Sequence, residues 1–329
     1  LALLIPVLLA APESEAKVYR GKCKSNLTWS YDSKTKTMVI DCKGDMPDDE
    51  QFYDLDMGWR KYYFKTKKVI LKKGISSIGA GAFYNFQKLE EVVLPEGLRI
   101  IKYDAFDGCR KLQFINKPST LEVIEKDVFW DVKIKSISLK NLKKLGSECF
   151  SGAKLQSVDI PAKCKIEDSV FWSCKKLKKV TFEKGVKRIS YGMFRETGIK
   201  NIDIPGSVTQ IGTYAFANCQ SLKKAIINEG VKKISKDAFS NTALKEITIP
   251  STVTKLGKNA FRWESTEKSS LKKVVIRSKN IKKWGTMVFG ATRDDLVIYV
   301  PQSKKAEYEK ILRSTNGVAF HAKIVGKNW

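Results

Sequence analysis

The sequence predicts a repeat solenoid, a coil of about ten to eleven similar turns with a parallel β-sheet along one side. The first observation is a series of ten phenylalanines separated by 21 to 28 residues. A regular period in this range is typical of stacked units in which each unit contacts only its neighbours. We call these residues the ladder phenylalanines: Phe83, Phe106, Phe129, Phe150, Phe171, Phe194, Phe216, Phe239, Phe261 and Phe289.

Two further positions repeat in phase with the ladder. A large apolar residue stands five residues before each ladder phenylalanine: Ile78, Ile101, Ile124, Leu145, Ile166, Ile189, Ile211, Ile234, Leu256 and Trp284. Five or six residues after most of them, Leu or Ile opens a pattern LxxVxL or IxxIxI that often ends at proline, as at Pro95, Pro161 and Pro250. One short strand per unit, with neighbours in register, gives a parallel sheet.

These units resemble leucine-rich repeats, and more closely the BspA-like branch of that family, whose units carry IGxxAFxxC followed by LxxIxIP. The best matching segments are IGTYAFANCQSLKKAII at 211–227 and IGAGAFYNFQKLEEVVLP at 78–95, and in-phase copies extend over residues 67–301. The resemblance implies a right-handed leucine-rich-repeat coil with one parallel β-sheet. It also implies a function in adhesion to host matrix proteins or to other cells.

Residues 1–16 are interpreted as the remnant of a secretory signal peptide. The opening LALLIPVLLAA is apolar and is followed by small residues, as in the hydrophobic and cleavage regions of such a peptide. The run is shorter than the roughly 20 apolar residues that span a bilayer, and no other segment is long and apolar enough. We therefore expect a secreted or cell-surface protein without a transmembrane segment, the alternative for this stretch being an apolar N-terminal strand.

Residues 17–66 precede the repeats and are expected to form an N-terminal hairpin cap. Two alternating segments, residues 27–31 and 37–40, flank a polar turn, which is typical of a β-hairpin. Such a cap covers the apolar end of the first repeat, and the BspA-like resemblance also implies it. Four aromatic residues follow, for which we favour packing between cap and repeats over a carbohydrate platform: Trp59, Tyr62, Tyr63 and Phe64.

Residues 302–329 are expected to form a C-terminal cap. The last repeat strand ends at Pro301, and the following SKKAEYEKILRSTNG predicts a helix with Ser303 as its N-cap and Gly317 as its stop. The remaining AFHAKIVGKNW alternates well enough for a short closing strand.

The seven cysteines divide into two groups. Five occupy repeat positions expected in the core, where a thiol behaves as a small hydrophobe: Cys109, Cys149, Cys164, Cys174 and Cys219. Cys23 and Cys42 flank the predicted hairpin, and we predict a disulfide between them, consistent with export. A zinc site is the alternative, but there is no CxxC pair and His321 is the single histidine, so no metal site is predicted.

No catalytic constellation or cofactor motif is present, so the sequence predicts a protein that is not an enzyme and needs no cofactor. A serine or cysteine nucleophile needs a base within reach, and only His321 could supply an imidazole. Glu91, Asp159 and Asp203 could form a glycosidase-like carboxylate pair, but a shallow solenoid surface rarely encloses a sugar ring. An acidic stretch from Asp41 to Asp56 could bind Ca²⁺, but it lacks the DxDxDG order and is better interpreted as a solvated turn.

A binding function is therefore expected on the surface of the coil, and the first candidate surface is the outer side of the β-sheet. Within each strand the residue between two core positions faces outward, which defines one exposed column along the coil. The column is apolar at both ends and polar or acidic in the middle, which suits a protein partner better than a polyanion. The predicted contact residues on or beside it are Glu91, Val93, Asn116, Asp159, Thr181, Asp203, Ile226, Thr248 and Tyr299.

The charge distribution suggests a second surface. The chain has 61 Lys plus Arg against 35 Asp plus Glu, a formal net charge of +26. Directly after the leading residue of the strand, seven of eleven units carry a lysine, which predicts a positively charged rim that would attract anionic polymers, although such lysines also serve solubility: Lys67, Lys135, Lys178, Lys200, Lys223, Lys245 and Lys272. Nucleic acid is not expected, because the rim lacks the interleaved aromatic residues on which bases stack.

Two hypotheses follow. The first is a non-catalytic, monomeric surface module that binds a protein partner or mediates adhesion. The second is a binder of an anionic polymer, either a cell-wall polymer or a sulfated glycan, through the lysine rim. A carbohydrate-active enzyme is a remote third.

Overall fold

The structure is a computed structural model that describes residues 16–23, 26–49, 57–264, 269–319 and 321–329. The predicted signal peptide remnant, residues 1–16, therefore lies outside the described residues except for its last residue. The described chain forms a parallel β-solenoid of about 11 turns with one C-terminal helix, which confirms the predicted fold class.

One side of the coil, which we call the strand face, carries the predicted parallel strands. Buried and exposed residues alternate along them, so each strand inserts one row of side chains into the core. Neighbouring strands belong to successive turns and pair in parallel register. The strands are Lys68–Leu71, Glu91–Val93, Phe114–Ile115, Ser157–Ile160, Lys179–Phe182, Asn201–Ile204, Lys224–Ile227, Glu246–Ile249, Lys273–Ile276, Val297–Pro301 and Lys323–Lys327.

The structure adds a second series of short strands to the one parallel sheet expected from the sequence. Apart from Gly44–Asp45 in the N-terminal cap, these strands end on the apolar residue five positions before each ladder phenylalanine, and together they form what we call the second face. Most of them have two residues, of which the last enters the core. The strands are Gly44–Asp45, Ile75–Ile78, Ile100–Ile101, Val123–Ile124, Lys144–Leu145, Lys165–Ile166, Arg188–Ile189, Gln210–Ile211, Lys233–Ile234, Lys255–Leu256 and Lys283–Trp284.

The ladder phenylalanines form one continuous stack inside the coil. All ten are buried, and consecutive rings lie 5.1 to 6.0 Å apart between centroids with interplanar angles of 1 to 18°. Offset stacking at such distances is a favourable arrangement of aromatic rings. The ring series that predicted the solenoid is therefore also its core.

The turns around the ladder phenylalanines form the third side, the loop face. Backbone N–H groups there donate to the next turn, as from Phe83 to Ala105 O (2.9 Å) and from Phe216 to Ala238 O (2.8 Å). The residue two positions before every ladder phenylalanine has a positive φ of 52 to 63°. Glycine, asparagine and aspartate tolerate this left-handed region best, which accounts for many of the polar residues in these turns.

The N-terminal cap is a three-stranded sheet that extends the strand face. The predicted hairpin is confirmed as β2 (Leu27–Asp32) and β3 (Thr37–Cys42), with β1 (Val18–Cys23) added in front. β3 pairs in parallel with Lys68–Leu71 of the first repeat. Trp59 and Tyr62 are buried, and Trp59 Nε1 donates to Ala82 O at 3.1 Å, so Trp59 packs the cap against the first repeat. Tyr63 is half-buried, whereas Phe64 is 50% exposed and does not fit the predicted packing.

The C-terminal cap consists of a short 3₁₀ helix, the α-helix Lys305–Ser314 and the closing strand Lys323–Lys327. The prediction of Ser303 as N-cap is wrong, because Ser303 lies inside the 3₁₀ helix and the N-cap residue is Lys304. Tyr308 anchors the helix: its hydroxyl donates to Ser278 O (3.1 Å) and accepts from Ile281 N (3.2 Å).

The predicted disulfide between Cys23 and Cys42 is not formed in the structure, where both residues are buried thiols. They lie on β1 and β3, and β2 separates them, with Leu27 directly opposite both. Two strand spacings place their Cα atoms about 9 to 10 Å apart, more than the roughly 7 Å that a disulfide can bridge. Cys23 Sγ instead lies 3.9 Å from Met57 Sδ, and Cys42 Sγ lies 3.6 Å from Asp45 O.

The repeat cysteines have a more specific environment than a small hydrophobe needs. Cys109, Cys174 and Cys219 each direct Sγ at the carbonyl oxygen of the ladder phenylalanine in the preceding turn, at 3.0 to 3.2 Å. Burial raises the pKa of Cys174 to about 12 and that of Cys219 to about 11, so these thiols stay protonated and can donate. Cys164, expected in the core, is only half-buried.

Candidate functional site

The predicted contact residues lie on the strand face in one outward column. The strand Lys224–Ile227 shows the pattern, with exposed and buried residues in strict alternation. Across neighbouring strands the register places the column residues directly opposite one another: Ile70 with Val93, Asp159 with Thr181, Asp203 with Ile226, and Thr248 with Val275 and then Tyr299.

At the N-terminal end of the column, polar groups are used in contacts between turns. Glu91 forms an ion pair with Lys68 Nζ at 2.9 Å. The side chain of Asn116 accepts from Leu94 N at 2.7 Å and donates to Leu94 O at 2.8 Å, so it continues the sheet's backbone hydrogen bonding. These two residues hold neighbouring turns together.

Polar side chains in the middle of the column also form hydrogen bonds between neighbouring turns. The Thr181 hydroxyl donates to the Asp159 carboxylate. Asn228 Nδ2 donates both to Asp203 Oδ1 at 2.7 Å and to Ile204 O at 2.9 Å. Hydrogen bonding between turns thus occupies the acidic part of the column.

The C-terminal half of the strand face differs, because here the exposed column and the lysine rim meet in one groove. This basic groove has a cavity volume of about 760 Å³. Ile226, 40% exposed, and Val275 supply apolar surface on its floor. It is lined by six cations, two glutamates and the column residues: Lys223, Lys224, Lys245, Lys272, Lys273, Arg277, Glu229, Glu246, Ile226, Thr248 and Val275.

The groove carries a concentrated positive charge. Lys273 Nζ forms an ion pair with Glu246 at 3.5 Å. Among the described residues, the other cations of the groove are in no ion pair. A groove with apolar floor and lysine walls is complementary to a protein segment that carries both apolar and acidic side chains.

The sequence analysis missed Lys224, Lys273 and Arg277. Lys224 and Lys273 are the first residues of their strands and point outward beside the rim lysines. The signal was the doublet Lys-Lys that stands at 223–224 and 272–273, since the second lysine of each doublet falls on an exposed strand position. Arg277 follows the strand end and had no repeat signal.

The remaining predicted residues lie outside the basic groove. Lys135, Lys178 and Lys200 continue the rim toward the N-terminus and are exposed, whereas Lys67 pairs with Glu90 at 3.6 Å. Tyr299 lies on the C-terminal side of the basic groove, opposite Val275, and Lys327 Nζ is 5.7 Å from its ring centroid. Glu91, Val93 and Asn116 belong to the first turns of the coil.

Comparison with known proteins identifies the repeat. A family model for BspA-type leucine-rich repeat regions of six copies matches residues 61–178 and, again, residues 143–268. The chain belongs to the BspA-type leucine-rich repeat family.

Two solved structures of leucine-rich repeat proteins are similar to this BspA-type chain. One, from Bacteroides ovatus, has 23% identity and a TM-score of 0.67, with 92% of this chain and 76% of that chain covered. Another, from Eubacterium ventriosum, has 20% identity and a TM-score of 0.60, with 86% and 84% covered. No curated protein matches the sequence.

The BspA-type coil does not bring the candidate carboxylates together. Asp159 and Asp203 are separated by the intervening Thr181 strand, about 10 Å at two strand spacings. Glu91 lies several turns away from both. Within the described ranges, no three His, Cys, Asp or Glu side chains are grouped so that they could hold a metal ion, and no helix has the length and apolar character to span a membrane. Glu50, Asp54 and Asp56 of the acidic stretch lie outside these ranges.

A second basic row lies on the second face and was also missed. Its members occupy the first position of the short strands, and Gln210 interrupts the row between Arg188 and Lys233: Lys144, Lys165, Arg188, Lys233, Lys255 and Lys283. Lys144 and Lys165 pair with Glu167, at 3.3 and 3.4 Å, whereas the others form no ion pair in the described part of the chain. The positive charge is therefore distributed over two faces of the coil.

Acidic side chains collect on the loop face of the early repeats. Asp104 and Asp127 occupy the same left-handed position in successive turns, and Asp107 lies close to both. Burial, followed by repulsion from Asp104 and Asp127, raises the pKa of Asp107 to about 7. This carboxyl is therefore partly protonated at neutral pH.

The raised pKa predicts a specific pH dependence. An aspartate in the unfolded chain titrates near pH 4, so folding takes up a proton between about pH 4 and pH 7, and stability falls as pH rises through that window. We expect Asp107→Asn to have little effect at pH 4.5 and to stabilise the protein by about 1 to 2 kcal/mol at pH 8, after allowance for solvent screening. Denaturant unfolding at both pH values measures this. Asp203→Asn, on the exposed strand face, serves as the control and should show no such gain.

Proposed function

We propose that this BspA-type protein is a non-catalytic, secreted or cell-surface interaction module that binds an acidic protein partner through the basic groove. The observation that carries the proposal is the coincidence of exposed apolar residues with the lysine rim in this groove. Apolar residues such as Ile226 exclude water from the contact, and the surrounding lysines select acidic partners and speed association.

Export and adhesion belong to the same proposal. The apolar opening of the sequence supports secretion, and membership of the BspA-type family is consistent with a protein-interaction module. We propose that the module acts as a monomer, because its sheet ends are covered by the two caps.

The test compares two triple charge reversals of equal size. Lys223→Glu, Lys245→Glu and Lys272→Glu lie in the basic groove, and Lys135→Glu, Lys178→Glu and Lys200→Glu lie on the rim outside it. Binding to a panel of purified acidic matrix proteins would be measured by surface plasmon resonance at physiological salt. The groove triple should weaken binding about 100-fold, whereas the rim triple should change it only slightly. Ile226→Ser should weaken binding without altering net charge.

The second candidate function, binding of an anionic polymer, is favoured by the second basic row. If the protein binds such a polymer through its overall positive charge, both triple variants should lose retention on a heparin column to the same extent. Ile226→Ser should leave this retention unchanged. Equal effects of the two triples on the matrix proteins would contradict the first proposal and support this one.

A further inference from the structure

The loop face of the first five repeats carries a row of aromatic residues in alternate turns. Directly after the ladder phenylalanine stand Tyr84, Trp130 and Trp172 in the first, third and fifth repeats, and the smaller Asp107 and Ser151 in the second and fourth. Two turns of the coil correspond to about 10 Å, so the three rings form a line parallel to the coil axis at that interval.

The position two residues after each ladder phenylalanine also alternates from turn to turn. The aromatic turns continue with Asn85, Asp131 and Ser173, whereas the intervening turns have Gly108 and Gly152. Both glycines have positive φ, and a side chain at Gly108 would come within 3.2 Å of Asn85. The result is a corrugated groove with a cavity volume of about 590 Å³, in which aromatic ridges alternate with polar depressions.

The three rings differ in exposure, since Tyr84 and Trp172 are half-buried and Trp130 is exposed. Trp130 is 46% exposed although it belongs to an otherwise well-packed coil. The guanidinium of Arg195, in the sixth repeat, lies 5.6 Å from the ring centroid of Trp172 and ends the row. A row of partly exposed aromatic rings on a regular backbone costs little conformational entropy on binding.

The groove is balanced in charge although the chain carries +26. Asp131 lies 3.5 Å from Arg110 Nε and 3.4 Å from Lys154 Nζ, and Asp107 adds a further carboxyl. This balance sets the groove apart from the two basic rows and makes it a poor site for a polyanion.

We propose that this loop-face groove binds a neutral, unbranched glycan of β-1,4-linked hexopyranoses. The apolar C–H face of a sugar ring packs against an aromatic ring, and planar polar side chains such as Asp107, Asp131 and Asn85 are suited to its hydroxyl groups. In a β-1,4-linked chain each ring is turned over relative to the last, so equivalent faces return every second sugar, at about the 10 Å interval of two turns of this coil.

A proline-rich peptide is the competing occupant. Its polyproline helix also repeats at about 9 Å, three residues at roughly 3.1 Å each. Such peptides dock in aromatic grooves with few polar groups, whereas here polar side chains occupy every depression. The glycan therefore fits the groove better.

The test uses the full chain and soluble hexasaccharides of β-1,4-linked glucose, mannose and N-acetylglucosamine in isothermal titration calorimetry. We expect at least one to bind, at least tenfold tighter than its own disaccharide, because only the longer chain spans two aromatic ridges. Raising the salt concentration should leave this affinity unchanged, since no ion pairs form. Trp130→Ala should lower it at least tenfold.

Tyr191→Ala is the matched control, because Tyr191 is 41% exposed on the loop face and does not line the groove. It should leave glycan affinity unchanged, as should the groove triple Lys223→Glu, Lys245→Glu and Lys272→Glu, which separates this proposal from the proposed function. Unfolding midpoints would verify that each variant is folded. Failure of all three hexasaccharides to bind, binding unaffected by Trp130→Ala, or Trp130-dependent binding of a proline-rich peptide instead would overturn the proposal.

Discussion

Replacement of Phe239 by alanine is expected to destabilise the protein by about 3 to 5 kcal/mol. The ring is 0% exposed and stacks between Phe216 and Phe261 at centroid distances of 5.1 and 5.3 Å. Hydrogen bonds on three sides hold the neighbouring turns at fixed spacing, so the coil cannot close the cavity that alanine leaves. Urea unfolding followed by circular dichroism measures the loss.

The effect should also be local, because each turn of a solenoid contacts only its neighbours. Amide hydrogen exchange should increase first around Phe239 and leave the N-terminal repeats protected. The matched control is Phe114→Ala, since Phe114 is 62% exposed on the strand face. It should change stability by no more than about 0.5 kcal/mol. Similar losses in the two variants would contradict the view that the ladder is the energetic core.

Replacement of Arg60 by methionine is expected to cost about 3 to 5 kcal/mol and to loosen the N-terminal cap. Arg60 lies 3.2 Å from Asp49, and the two side chains are 5% and 0% exposed. The same guanidinium donates to Gly81 O in the first repeat at 3.1 Å. Methionine keeps the aliphatic length but leaves a buried carboxylate without this cation, which accounts for most of the expected cost.

The measurement combines denaturant unfolding with near-ultraviolet circular dichroism, which reports on the packing of the aromatic residues, Trp59 of this junction among them. Arg99→Met is the control, because Arg99 forms an ion pair of similar length with Glu122 (3.0 Å) while its side chain is 60% exposed. An exposed pair contributes little, so this variant should lose less than about 1 kcal/mol. If Arg60→Met proves equally mild, the buried pair does not secure the cap.

Much of the fold could be predicted because the same pattern of apolar residues recurs ten times in the sequence. A phenylalanine every 21 to 28 residues, with an apolar partner five residues earlier, leaves a stacked coil as the arrangement that buries all copies together. The second series of strands was not foreseen, since strands such as Gln210–Ile211 have two residues and show no alternation that a sequence can display.

The failures have a common origin in geometry between strands. Cys23 and Cys42 flank a hairpin in sequence, but the added strand β1 moved Cys23 one strand too far from Cys42. The outward column was placed at the right positions, as the pairing of Thr248 with Val275 shows. Some residues of this column form hydrogen bonds between turns, and others are available for contact with a partner. Which residues belong to which group depends on their side-chain partners, and the repeat period does not show those partners.

The sequence by itself determined the solenoid, its period, the residues of its core and the outward positions of its strands, because burial of a repeated apolar pattern has essentially one solution. Only the tertiary structure decided which surface residues come together. Lys223 and Lys272 are far apart in the chain, and so are Tyr84 and Trp172. Stacking of turns at a fixed spacing brings each set into one groove, and that spacing is a property of the folded coil.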